Sequence, residues 1–201
     1  MPESPQDQTT PSPTPDAESF RQRVAGAILG AGSYRAEWRL LDATASAGDE
    51  GPPLLEQAVV IRGPVHVSVP VGVEFWLVDG IQYRRGLDAD DIEASPAPEN
   101  GPRDLLFEFA TESIWSADLA SDGVVAGEPV GGEATWRLDD AGDEGGAEAI
   151  VGSTLLVSQD TYLPLLLDAN LGGGNVLRVR FFDFGGVESI DLPPDLAHLE
   201  A

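Results

Sequence analysis

The chain has 201 residues, which suits one domain with a short tail, and 42% of them are hydrophobic, enough for an ordinary core. Its 35 acidic residues face 11 basic ones, all Arg, for a net charge of -24. A surface of that sign repels phosphate polyanions, which excludes nucleic acid as a partner and direct capture by anionic membranes. Cys is absent, so no disulfide, thiolate nucleophile or Cys-held metal is available. The plainest reading of the acid is a solvated surface from a GC-rich or salt-adapted genome, in keeping with bases that are all Arg and with 23 Gly and 16 Pro.

Residues 1–15 are rich in Pro, Ser and Thr and nearly free of apolar side chains. Such a segment cannot bury enough surface to offset chain entropy, and it predicts a solvated, stiff spacer. Met1-Pro-Glu-Ser-Pro has neither the basic start nor the apolar stretch of a signal peptide. The sequence is therefore either cytosolic or begins just after a removed signal and lipidated Cys, and the spacer favours the second. No apolar run reaches the length of a transmembrane helix.

Order begins at Asp16, a helix cap with Glu18 in the first turn, and Phe20, Val24, Ala27, Ile28 and Ala31 form one apolar stripe up to Gly32. Tyr34, Ala36, Trp38 and Leu40 then alternate with Arg35, Glu37 and Arg39, which predicts a half-buried strand. Further strands are expected at 54–61, 65–69, 73–78 and 81–85, the last two joined by Asp79-Gly80, a sequence suited to a type I′ hairpin. Residues 88–102 are acidic and Pro-rich and are expected to be loop; 104–112 fit a short second helix. Strands at 114–119, 124–128 and 134–138 precede a polar loop at 139–148, and three closing strands are expected near 151–158, 163–169 and 175–183. Tight turns between so many strands argue for one long antiparallel sheet, which twists and curls, with the two helices covering its concave face.

Several chemistries lack their residues. No Gly-x-Ser-x-Gly elbow supports a Ser-His-Asp site, and the two His, His66 in a strand and His198 in the terminal tail, offer no zinc pairing. The acid clusters at 88–93 and 139–144 miss the EF-hand spacing, and Gly172-Gly-Gly174 links two strands instead of opening a helix. No catalytic residue, cofactor or metal ligand is therefore assigned.

Tyr162-Leu-Pro164, Phe181-Phe-Asp-Phe184 and Ile190-Asp-Leu-Pro193, with the Phe75-Trp-Leu-Val-Asp-Gly-Ile-Gln-Tyr83 hairpin, the leading helix and Gly127-Glu-Pro-Val-Gly-Gly-Glu-Ala-Thr-Trp136, make residues 16–195 resemble the LolA/LprG-type carriers of lipids and lipoproteins. The resemblance implies a mainly β half-barrel of eleven strands, closed by helices over an apolar cavity. It also implies a non-enzymatic, extracytoplasmic and membrane-tethered carrier of a lipid, lipoglycan or lipoprotein acyl chain, acting as a monomer. A second reading makes the same scaffold a sensor that docks a membrane protein, with the acidic loops 88–102 and 139–148 as docking surfaces. Two departures stand: no Arg aligns with the functional inner-strand Arg of LolA, and LolA's own signature motifs are missing.

A cavity for acyl chains needs apolar walls with few unpaired polar atoms. The candidate lining residues are Trp38, Leu40, Phe75, Leu77, Leu106, Phe109, Trp115, Trp136, Leu155, Leu165, Leu167 and Phe182, each of which could equally be filled core. Arg84 and Arg85 are candidates for a head group at the rim or for pairing with neighbouring acids. Residues 196–201 are expected to form a terminal tail.

Overall fold

A computed structural model describes residues 14–42, 51–88, 91–97, 106, 123–140 and 152–199. The expected spacer therefore lies almost wholly outside the described residues, as do the expected strand at 114–119 and most of the loop at 139–148.

Helix α1 spans Ala17–Ala31. The Asp16 carboxylate accepts from the Ser19 backbone N–H at 2.9 Å, and Gly32 ends the helix at φ 75°, a left-handed turn that favours Gly. Phe20, Val24 and Ile28 recur at every fourth position and are fully buried, each worth roughly 1.5–3 kcal/mol of apolar burial. They fasten the helix to one face of the sheet, whose side chains share their cluster.

The described residues form eleven strands: β1 (Ser33–Asp42), β2 (Leu55–Val60), β3 (Val65–Val69), β4 (Val73–Val78), β5 (Ile81–Arg85), β6 (Ile92–Pro96), β7 (Val125–Ala126), β8 (Thr135–Asp140), β9 (Gly152–Ser158), β10 (Pro164–Asn170) and β11 (Asn175–Phe182). They make one antiparallel sheet in the order β6-β5-β4-β3-β2-β1-β11-β10-β9-β8-β7. Two meanders, β1–β6 and β7–β11, are thus sewn together where the first strand pairs with the last, Ala36 opposite Phe181 and Trp38 opposite Val179. The sheet is an open, curved half-barrel. Asp79 and Gly80 both have positive φ, 50° and 79°, the geometry of the expected type I′ turn between β4 and β5.

Tyr162 also lies in the left-handed region, at φ 61°. That backbone is uncommon for an aromatic residue. The Ser158 hydroxyl accepts from the N–H groups of Asp160 and Thr161 and so holds the turn. Tyr162 in turn packs on Phe20, 5.9 Å between ring centres, and its hydroxyl accepts from Arg23 at 2.8 Å. The corner before Pro164 thereby clamps α1 to the β9–β10 turn.

Three expectations are corrected. Residues 92–96, expected as loop, form the edge strand β6, pulled back on β5 by a tight turn in which the Gly86 N–H donates to the Asp91 carbonyl. An edge position tolerates the acid and Pro that argued against a strand. The strand expected at 124–128 shrinks to Val125–Ala126: the Gly127 N–H still bonds the Thr135 carbonyl, but the Glu128 carbonyl accepts from the Thr135 hydroxyl instead of a strand N–H, and Pro129 has no N–H to continue the ladder. Strand β8 runs on through Asp140, into the expected loop, and Asp139 accepts there from the Thr154 hydroxyl on β9. Of the second helix, only Leu106 is described; it is helical and fully buried, and its N–H lies 3.4 Å from the Tyr34 hydroxyl.

Candidate ligand-binding face

Strand alternation sorts the candidates onto two faces. The face under α1 carries Tyr34, Ala36 and Trp38 from β1, Val59 from β2, Val65 and Val67 from β3, and Phe75 and Leu77 from β4. From the other meander it carries Trp136 and Leu138, Leu155 and Val157, Leu167, and Val179 and Phe181. These side chains, with Leu106, form one apolar cluster with the helix. Its closed part runs from α1 across Tyr34 and Ala36 of β1, Val59 of β2 and Val65 of β3 to Trp136, Leu155 and Leu167 of the other meander, all buried. Further along β1, at the start of β2 and on β4 the packing loosens: Trp38, Leu55, Phe75 and Leu77 touch the cluster and remain partly accessible.

Other candidates lie elsewhere. Leu40 shares the inner register but is 48% exposed near the strand end. Leu165 is half-buried at the irregularity where β9–β10 pairing shifts. Phe182 pairs with Arg35 on the opposite, outer face, where both line a small cleft of about 80 Å³ with Glu56 and His66. The adjacent aromatic pair Phe181-Phe182 had to split between faces, and Phe181 is the inner one, fully placed in the cluster. Phe109 and Trp115 lie outside the described residues.

Arg84 and Arg85 project to opposite faces because they are neighbours on β5. Arg84 forms a two-pronged pair with Asp91 at 3.1 Å, and Arg85 bridges Glu74 at 3.1 Å and Asp195 at 2.7 Å while lying 5.2 Å from the Trp76 ring centre. Both guanidinium groups are therefore committed to acids of the chain.

The outer face holds a second apolar cluster that sequence reasoning missed. Trp76, Tyr83 and the fully buried Leu196 form its centre, with Val78, Ile81, Ile92, Ile190, Leu192 and Leu199 around them. Residues expected as a terminal tail thus cross the back of β4–β6. The signal was present as Ile190, Leu192, Leu196 and Leu199 set around Pro193-Pro194. His66 belongs to this face, stacked 4.7 Å from Trp76 and 3.2 Å from Glu74. A wider cleft of about 320 Å³ opens at the outer ends of β8–β11, and its walls are polar: Asp139, Thr154, Asp168 and Asn170. Its acids are already engaged, Asp168 by Arg178 and Asp139 by Arg137.

Two polar atoms stand out on the inner face. The indole N–H groups of Trp38 and Trp136 are buried and meet no acceptor among the described residues.

No family model and no curated protein matches the sequence. Solved structures do match the fold. The lipoprotein LppX of Mycobacterium tuberculosis superposes with a TM-score of 0.51 at 14% identity, over 88% of this chain and 100% of its own. LprF of Mycobacterium bovis gives 0.52 at 14% identity, over 92% of this chain and 99% of its own. The fold is of the LolA/LprG type. A LolA-superfamily protein from Nitrosomonas europaea covers 90% of the chain with a TM-score of 0.36 and 11% identity. In this LolA/LprG-type fold the inner face is the one under the helix, and it holds eight of the twelve candidate lining residues once Leu106 and Leu40 are included. No helix among the described residues is long and apolar enough to cross a membrane.

Proposed function

We propose that this protein is a non-enzymatic carrier of a lipid or another acyl-chain ligand, held by the inner face of the half-barrel and working outside the cytoplasm. The observation that carries the reading is the gradient of packing on that face. Beside α1 the apolar side chains are closed core, whereas Trp38, Leu55, Phe75 and Leu77 keep accessible apolar surface on the same continuous wall. Each acyl methylene laid against such a wall contributes roughly 0.8 kcal/mol, so a chain of ordinary length binds with little need for polar contacts. The match to a lipoprotein over its whole length supports an extracytoplasmic place, and residues 1–15 have the composition of a spacer to a lipid anchor. Arg84 and Arg85, already paired with acids, leave the apolar wall as the main source of affinity.

Native mass spectrometry of the purified full chain, beside a solvent extract of the same sample, tests the proposal. A bound lipid-sized mass matched in the extract is expected. Removal of residues 1–15 should leave that mass in place. A lipid-free mass, together with no uptake of a fluorescent diacylglycerol from neutral vesicles, would overturn it. Stoichiometric recovery of a membrane protein by that lipid-free chain would favour the docking-module reading.

A further inference from the structure

The polar cleft at the outer ends of β8–β11 lies on the face that the carrier reading leaves unused, and its hydrogen-bonding groups are arranged to receive a ligand. Strand register builds it. Asp139, Thr154 and Asp168 stand side by side in one outward row across β8, β9 and β10. In the next row Asn170 faces Gly152 on one side and Val176 on the other. Gly152 brings no side chain to its place in that row, and it lines the cleft of about 320 Å³. That volume sits at the lower end of the range of small-molecule sites, about 300–1,000 Å³.

Each polar group is held in place and keeps unused hydrogen-bonding capacity. Arg178 donates Nε and Nη2 to the two Asp168 oxygens at 2.8 and 2.7 Å. Asp139 accepts from the Thr154 hydroxyl at 2.6 Å and from Arg137 Nε at 2.9 Å. The Asn170 Oδ1 accepts from the Gly172 N–H at 2.9 Å, and its NH2 group meets no acceptor among the described residues. A carboxylate has about four acceptor sites and a hydroxyl two, so Asp139, Asp168 and Thr154 can each accept again, while Asn170 can donate. The unused capacity is mostly acceptor, and a fitting ligand must be rich in donors. A cation would meet the guanidinium groups already on both carboxylates, and an anion would meet carboxylates of a chain with net charge -24. An apolar ligand would strip water from these groups without replacing its hydrogen bonds. We infer that the cleft is a site for the hydroxyl groups of a neutral glycan. A hydroxyl both donates and accepts, so one sugar gives protons to Asp139 and Asp168 and takes one from Asn170. Asp139 and Asp168 are two strand spacings apart, about 10 Å, and Asn170 lies two residues along β10 from Asp168, about 7 Å, which suits a pyranose with hydroxyls around its rim. Side chains already fixed by ion pairs lose little freedom on binding.

Spectra of the 15N-labelled full chain, titrated with methyl α-D-mannopyranoside, maltotriose and triacetylchitotriose, test the inference. These sugars carry no acyl chain, so their binding owes nothing to the inner wall and stands or falls apart from the carrier reading. At least one should shift, saturably, the Asn170 side-chain amide and the backbone amides of Thr154 and Asp168. Asn170→Ala and Thr154→Val should each weaken that sugar roughly threefold to tenfold in Kd, the share of one hydrogen bond. Because Asn170 also holds the turn at Gly172, Thr154→Val keeps the test open if Asn170→Ala disturbs that turn. No saturable shift with any of the three, shifts scattered over the surface, or unchanged affinity in both variants would overturn the inference. Movement of the same signals by calcium chloride and by none of the sugars would also overturn it and assign the cleft to a cation.

Discussion

Replacing Trp136 separates the packing of the inner face from its polarity. Trp136→Ala removes a buried indole beside Val157 and Leu138 and should cost about 3–5 kcal/mol, as large-to-small aromatic substitutions in a core do. Trp136→Phe should behave very differently. Aromatic side chains bury about 150–250 Å² with Trp at the upper end, and a deficit of about 50 Å² at about 25 cal/mol per Å² costs about 1 kcal/mol. The small void left behind adds up to about another 1 kcal/mol. Against this, the substitution deletes a buried N–H with no acceptor, an arrangement that costs about 1–3 kcal/mol when a partner is missing. The terms nearly cancel, so Trp136→Phe should fall within about 1 kcal/mol of the native chain although it changes a 4%-exposed Trp. Urea denaturation of delipidated protein, followed by circular dichroism with a common m-value, measures both variants. A loss above about 2 kcal/mol for Trp136→Phe would mean that the indole has a partner within the chain, and the orphan argument would fail.

Other perturbations probe the outer cluster, the β7–β8 turn and the helix cap. Leu196→Ala should cost about 2–5 kcal/mol in urea denaturation, whereas Asp195→Asn beside it should cost less than about 1 kcal/mol because its pair with Arg85 is half exposed; the reverse order would refute the outer cluster as a packing unit. A Cβ at Gly127 would meet Thr135 Oγ1 at 2.5 Å and Leu156 Cδ2 at 3.0 Å, so Gly127→Ala should destabilise by about 1–3 kcal/mol, and native stability would show that this approach is looser than described. The Ser19 N–H holds the Asp16 carboxyl below its usual 3.8, so its stabilisation of α1 is present above that value and is lost as the pH falls through the lower folded pKa. Amide protection in the first turn, corrected for the intrinsic pH dependence of exchange, should fall with acid in the native chain and stay flat in Asp16→Asn; equal profiles would refute the cap.

Local chemistry made most of the fold legible. The Asp16 cap, the Phe20–Val24–Ile28 stripe, the Asp79-Gly80 hairpin and the alternation of β1 each follow from short-range rules and appear in the structure as expected. What stayed hidden depends on partners distant in sequence. Strand β6 exists because the turn through Gly86 and Asp91 lays it on β5, which outweighs its unfavourable composition. Phe182 and Phe181 could not be assigned to faces until the register with β1 was known. The role of Leu196 required the knowledge that β4 carries apolar side chains on both faces and that Ile81 and Tyr83 of β5 join its outer one. The unpaired indoles were beyond any sequence argument, since Trp38 and Trp136 look like ordinary core residues until their nitrogens are seen to lack acceptors.

The two-sided apolar character of β4, joined on the outer face by Ile81 and Tyr83 of β5, bears on how an inner face can stay partly open. The run Phe75-Trp-Leu-Val78 is apolar on both sides, the pattern of a strand covered on each face. Phe75 and Leu77 look inward and keep accessible surface; Trp76, Val78, Ile81 and Tyr83 look outward and lie under Leu196 and Leu199. The apolar burial that secures these strands is thus concentrated on the outer face, where the C-terminal segment supplies it and the Arg85 bridge between Glu74 and Asp195 ties it down. A strand anchored from behind does not depend on filling the space in front of it. The inner wall can therefore lose and regain an occupant without unravelling its edge. Leu196→Ala accordingly should lower the stability of the half-barrel while leaving uptake of a fluorescent diacylglycerol from neutral vesicles unchanged, since the outer cluster lies on the other side of the sheet from Phe75 and Leu77.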